Sequence, residues 1–198
     1  VELRLNAAVD GPPETLLAQG FDAVYLASGF QRDAPLRVPG VEGPGVIPAL
    51  RLLDRSRRGD RVDLGSRVVV IGGGDTAMDA VRTAQRFTGR PVTLLYRRTR
   101  QEMPADEEEL AGALEEGNVL EELVTPVEVV REDGRVVGVR CVRNTLGDAG
   151  TDGRRSPVAI AGSEFTVACD SVVVAVGQLP ELSFLEASRV ARHPGGGV

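Results

Sequence analysis

Residues 67–81 read RVVVIGGGDTAMDAV, and this stretch decides the fold. Arg67–Ile71 is a β-branched run short enough to be a buried parallel strand. Gly72-x-Gly74-x-x-Ala77 follows at once, and an amphipathic helix is predicted from Asp75 to Phe87, with Ala77, Met78, Val81 and Ala84 on one face. A glycine triplet alone says little. Placed between a strand and a helix, it is the fingerprint of a dinucleotide-binding turn. Gly72 permits the tight turn, Gly74 lets backbone N–H groups approach a pyrophosphate, and Ala77 lets the helix pack closely on its strand. The helix N-terminus then favours the anion. Asp75 in the first turn suits the helix dipole but brings negative charge near the phosphates.

The next strand indicates which nucleotide. Pro91–Tyr96 is a second buried strand, and it ends in Tyr96-Arg97-Arg98, with Arg100 close behind. A unit selective for NAD usually ends this strand in a carboxylate that grips the ribose 2′-hydroxyl. Guanidinium groups there pair instead with a 2′-phosphate. NADPH is therefore the expected ligand. The acidic segment Glu102–Glu109 reads as the exposed opening of a helix over Asp106–Glu116, stopped by Gly117.

Further out, strands are expected at Val119–Leu123, Val127–Arg131 and Val136–Val142, with Asp133-Gly134 as the hairpin turn between the last two. Thr145–Arg155, rich in Gly and Asp, reads as a mobile loop. Ser171–Val176 is another buried strand, closed by Gly177, and a helix candidate covers Glu181–Ala187. Toward the N-terminus, a strand-like run spans residues 3–9, a short helix is expected near Pro13–Gln19, and Ala23–Ala27 reads as a buried strand closed by Ser28-Gly29. Residues 39–65 have a linker composition, with a short helix around Ile47–Leu53 ending near Gly59.

Composition excludes several functions. The chain has 198 residues and a net charge of −6, without a basic tract, so nucleic acid is a poor partner. No apolar run reaches the roughly 18 residues that span a bilayer. All 23 basic residues are Arg, which removes lysine Schiff-base chemistry. The only cysteines, Cys141 and Cys169, form no C-x-x-C pair and read as buried reduced thiols of a cytoplasmic protein. The one histidine, His193, lies in a Pro/Gly-rich tail. Neither a Ser/His/Asp or Cys/His set nor a metal-ligand cluster is present, and hydride transfer between cofactors needs neither.

The ordered run VVVIGGGDTAMDAVRTAQR, VTLLYRR, EMPADEEEL, EEGNVL and TPVEV resembles the NADPH-binding domain of the glutamate synthase small subunit, a group that includes the flavin-containing portion of dihydropyrimidine dehydrogenase. FDAVYLASG and DSVVVAVGQLPELSFL resemble the strands that bracket that domain. The resemblance implies an α/β fold: a Rossmann-like NAD(P)-binding domain, a parallel sheet with a β-meander, inserted between two partial segments of an FAD-binding domain. It assigns residues 1–38 and 166–198 to FAD-domain segments, 39–65 to a linker and 66–165 to the NADPH domain. It places Gly72, Gly73, Gly74, Asp75, Thr76 and Ala77 on the pyrophosphate and Arg97 and Arg98 on the 2′-phosphate. Gly29, Gly177, Gln178 and Pro180 would lie near the cofactor interface. The implied function is hydride transfer from NADPH to FAD, with electrons passing on to a partner subunit or domain such as the glutamate synthase large subunit. The family's FAD-binding glycine motif and cluster cysteines are missing, so the expectation is an incomplete piece that holds FAD poorly. Thioredoxin reductase is similar in layout, but its C-x-x-C has no counterpart here. The competing reading is a non-catalytic NADPH-binding or sensor module.

Overall fold

The computed structural model describes residues 1–9, 11–150 and 153–193. The elements in chain order are α1 (Glu14–Ala18), β1 (Arg32–Asp33), β2 (Val46–Pro48), α2 (Ala49–Arg57), β3 (Val68–Gly72), α3 (Asp75–Thr88), β4 (Thr93–Leu95), α4 (Glu107–Glu115), β5 (Val119–Glu121), β6 (Val124–Glu132), β7 (Arg135–Ala149), β8 (Arg155–Ala159), β9 (Phe165–Ala168), β10 (Ser171–Ala175) and β11 (Gln178–Leu179). Single 3₁₀ turns occupy Arg100–Glu102 and Ser183–Leu185. The chain divides into two compact units, Asp33–Gly177 and a second formed by residues 1–32 together with those from Gln178 onward.

The larger unit is built on a five-stranded parallel sheet in the order β2-β10-β3-β4-β5. Its central strand shows why a near-continuous apolar run is needed. Val68 and Val70 point into the layer formed with Ala49, Leu52, Met78, Val81 and Leu110 of α2, α3 and α4. Val69 and Ile71 point the other way, against Val124, Val129, Val139 and Cys141. Both faces are covered, so no polar alternation survives. The second cover is an antiparallel meander in which β6 pairs with β7, and β7 with both β8 and β9. It occupies the connection between β5 and β10. Asp133 and Gly134 both have positive φ, 47° and 77°, as the expected two-residue hairpin turn requires.

Several expectations are corrected here. Residues 39–65 are not a bare linker: β2 extends the parallel sheet, and Ala49 and Leu52 of α2 are fully buried. β10 pairs with β3 along its whole length, so Ser171–Ala175 belongs to the core of the larger unit, which runs past residue 165 to Gly177. Thr145–Arg155 is no loose loop along its described length. β7 continues to Ala149 and pairs with β8. Residues 3–9 and 23–29 contain no strand, and Glu181–Ala187 forms only the 3₁₀ turn. A short apolar run forms a strand only where neighbouring strands accept its hydrogen bonds, and spacing alone does not supply them.

The smaller unit carries α1, β11 and a carboxylate clasp. Glu14 accepts from Ser188 Oγ (3.0 Å) and the Arg189 backbone N–H (2.8 Å), and these bonds hold its carboxyl below the usual range.

Candidate nucleotide site

The glycine turn is shaped by close approach. Gly72 has φ +155°, and a Cβ on it would lie 2.2 Å from the Ala175 carbonyl oxygen. A Cβ on Gly73 would lie 2.3 Å from Cε2 of the Tyr96 ring. Gly74 differs: its nearest prospective neighbour is Pro104 Cγ at 3.9 Å, and its φ of −101° suits any residue. Space, not backbone strain, is what the missing side chain leaves at Gly74. This residue caps α3 without a side-chain hydrogen bond. The Gly74 carbonyl accepts from the Ala77 N–H (2.8 Å) and the Met78 N–H (3.3 Å), which opens α3. Ala77 is 1% exposed and packs in the sheet–helix layer. Thr76 is partly exposed in the first turn.

The acidic segment is better organised than a solvated helix opening. Ala105 N–H donates to the Gly73 carbonyl (3.1 Å), and Asp106 N–H donates to Asp75 Oδ1 (2.9 Å). Asp106 in turn caps α4 by accepting from Glu108 N–H at 2.8 Å. Asp75 therefore ties the glycine turn to residues 105–106.

The arginine loop after β4 separates the two expected phosphate ligands. Arg97 is exposed, whereas Arg98 is 6% exposed and its Nε donates to the Arg155 carbonyl (2.6 Å). Arg98 thus faces the hairpin of β7 and β8. Arg100 is exposed, with its backbone N–H donating to the Glu122 carboxylate. The loop is braced from the meander side throughout. Asn144 Nδ2 donates to the Arg97 carbonyl (2.9 Å), and Leu123 N–H donates to the Arg98 carbonyl (3.0 Å). Leu123 sits at φ +56°, a conformation costly for leucine, between that bond and one from Asn144 N–H to its own carbonyl. Sequence reading missed Asn144 and Leu123. An Asn inside a strand was the available signal for the first; nothing marked the second.

Glu102 ends the 3₁₀ turn that follows the arginine loop. Its carbonyl accepts from Tyr96 Oη (2.7 Å), and its carboxylate accepts from Arg155 Nε (2.8 Å) and Thr99 Oγ1 (3.2 Å). Burial raises its pKa, but the bonds from Arg155 and Thr99 outweigh that and hold it below the ordinary value.

The expected interface residues fall in both units, Gly177 in the larger and Gly29, Gln178 and Pro180 in the smaller. Gly29 is exposed with φ +68° in the smaller unit; Gly177, also exposed, accepts at its carbonyl from Ala34 N–H (2.9 Å). Gln178 belongs to β11, and Pro180 follows it, partly buried. Both cysteines are buried and free, and burial pushes each thiol up to about 12, so neither is a thiolate at neutral pH. Among the described residues no metal-binding cluster occurs, and no helix is long and apolar enough to cross a membrane.

The chain is 48% identical over 174 residues to the NADPH-Fe(3+) oxidoreductase subunit beta of Geobacter sulfurreducens, covering 85% of this chain and 26% of that protein. It is 42% identical over 181 residues to the glutamate synthase [NADPH] small chain of Halomonas elongata, covering 86% of this chain and 38% of that protein. The chain thus spans well under half the length of these relatives, and the resemblance to the glutamate synthase small subunit is borne out. The structure of Mycobacterium tuberculosis FprA in complex with NADPH superposes with a TM-score of 0.70 at 20% identity, covering 96% of this chain and 57% of that one, which supports the fold. A family model described as pyridine nucleotide-disulphide oxidoreductase matches residues 3–198, and the chain belongs to that family.

Proposed function

We propose that this chain binds NADPH and presents it for hydride transfer to FAD, as part of an NADPH-dependent oxidoreductase of the glutamate synthase small-subunit type. The observation that carries this reading is the turn at residues 72–74. Two glycines there are crowded by the protein itself, and the third, the N-cap of α3, has room in front of its Cα and bears no side-chain cap bond. That is where a pyrophosphate would rest.

When bound, NADPH supplies the hydride and FAD accepts it. The chain's own residues bind and orient. Gly72, Gly73, Gly74, Thr76 and Ala77 form the cradle, and Asp75 fixes its rim through Asp106 N–H. Arg97, exposed at the end of β4, would pair with the 2′-phosphate, and Arg100, exposed three residues on, is its companion. Arg98 leaves that role and holds the β7–β8 hairpin. Gly29, Gly177, Gln178 and Pro180 remain proposed neighbours of the cofactor interface. The larger unit, flanked in sequence by segments of the smaller one, fits an NADPH domain inserted between FAD-domain segments. Beyond FAD, an electron-accepting subunit or domain is the proposed partner, and the cytoplasm the proposed compartment.

The test is titration of the chain with NADPH and NADH. NADPH should bind more tightly, and equal affinities would sink the assignment. Arg97→Ala should weaken NADPH by about 10- to 100-fold, the scale of a charge-assisted bond, and leave NADH within about twofold.

A further inference from the structure

Glu102 poses an electrostatic problem for the site just proposed. Its side chain is 12% exposed, it stands five residues beyond Arg97, and its carbonyl holds Tyr96, whose ring lies against Gly73. A carboxylate there, if uncompensated, opposes an anionic ligand, and opposes NADPH more than NADH because only NADPH carries the extra phosphate. Compensation comes from far away in sequence. Arg155 at the start of β8 donates to Glu102 Oε1 from Nε (2.8 Å) and from its backbone N–H (3.2 Å). Its own carbonyl is gripped by the buried Arg98. The other partner of the carboxylate, Thr99 Oγ1, brings no charge.

We propose that Arg155 is a specificity-determining positioning residue: it neutralises and fixes Glu102 beside the arginine loop, so that the loop can accept the 2′-phosphate. This rests on the reading of Arg97 as the phosphate ligand. Arg155 acts through Glu102, and Arg98 acts by setting the backbone of Arg155. The doublet Arg97-Arg98 thus works in two directions, one guanidinium toward the ligand and one toward the strand that screens an internal acid.

Binding of NADPH and NADH to the full chain, measured by calorimetry, tests this without any turnover. Arg155→Ala should weaken NADPH about tenfold and change NADH by less than about twofold, the effect of one uncompensated charge near a phosphate. Arg155→Ala combined with Glu102→Gln should restore NADPH to within about twofold of the parent, because the offending charge is gone. Arg155→Lys should keep most of the affinity. Equal weakening of both nucleotides by Arg155→Ala, or failure of Glu102→Gln to restore NADPH, would overturn the proposal and show a merely structural hairpin. Arg97→Ala separates this from the parent reading. If Arg97→Ala is selective against NADPH while Arg155→Ala is not, only the present inference falls. If Arg97→Ala is itself unselective, both fall.

Discussion

The two halves of the site are built in opposite ways. The glycine turn is contiguous, running from β3 through Gly74 into the start of α3, although the atoms that crowd it come from Ala175 of β10 and the Tyr96 ring. The arginine loop, the four residues 96–99 between β4 and the 3₁₀ turn, is held by Leu123, Asn144 and Arg155, which are 25 to 57 residues from their partners. A motif can mark the first kind of site, because its strand, glycines and helix start are consecutive in the chain. The second kind depends on loop closures that hold only if the meander folds correctly.

The sharpest way to break this contrast is at Gly72. Gly72→Ala drives a Cβ to within 2.2 Å of backbone oxygen on the neighbouring strand, which cannot retreat without opening the β3–β10 ladder. A loss of more than about 3 kcal/mol is expected, read as a collapsed melting transition. Gly74→Val is the counterpart. The fold should survive, since only Pro104 is near at 3.9 Å, but NADPH and NADH binding should fall together. Normal binding by a folded Gly74→Val protein would place the ligand elsewhere.

Asn144→Ala probes the remote half. It removes the donations to the Arg97 carbonyl (2.9 Å) and to Thr125 Oγ1 (2.8 Å), costing about 1–3 kcal/mol of stability in thermal melts. It should also blunt the preference for NADPH, an effect absent if the loop holds its shape unaided.

The smallest effect concerns a clasp outside both halves. Asp170 accepts from Arg67 Nη2 (2.7 Å), Ser66 N–H and Oγ, and Arg67 N–H (each 2.9 Å), joining the start of β3 to the turn before β10. The Arg67 guanidinium bond and these backbone donors hold its carboxyl well below the usual range. A carboxyl depressed in the folded state contributes stability above its unfolded pKa, and the contribution fades as pH falls below about 4. Asp170→Asn should therefore cost about 1–2 kcal/mol at pH 7 and progressively less at pH 3, measured by denaturant midpoints. A difference independent of pH would rule out the ionised carboxylate as the cause.

The sequence carried much of this. Helix α3 was expected to start at Asp75 and does, because an uncapped glycine and a 3.6-residue apolar rhythm are local facts. Helix α4 begins after its Asp106 cap and stops before Gly117, which takes φ +91°. The Asp133-Gly134 turn was equally legible. What failed was assignment of short apolar runs. Residues 23–29 and 171–175 look alike on paper, yet only the second finds partner strands on both edges. The doublet Arg97-Arg98 looks like one feature in sequence, yet one side chain is exposed and the other buried.

By itself, then, the sequence determined where the glycine turn lies, because the strand, the glycines and the helix start follow one another in the chain, although the atoms that crowd Gly72 and Gly73 belong to Ala175 and Tyr96. It also determined the charge at the end of β4, since guanidinium groups there need no fold to be counted. Only the tertiary structure decided which of those arginines faces outward. That choice turns on the carbonyl of Arg155 and the carboxylate of Glu102, groups brought together from 53 residues apart by a hairpin whose pairing is written in long-range hydrogen bonds and not in any local spacing.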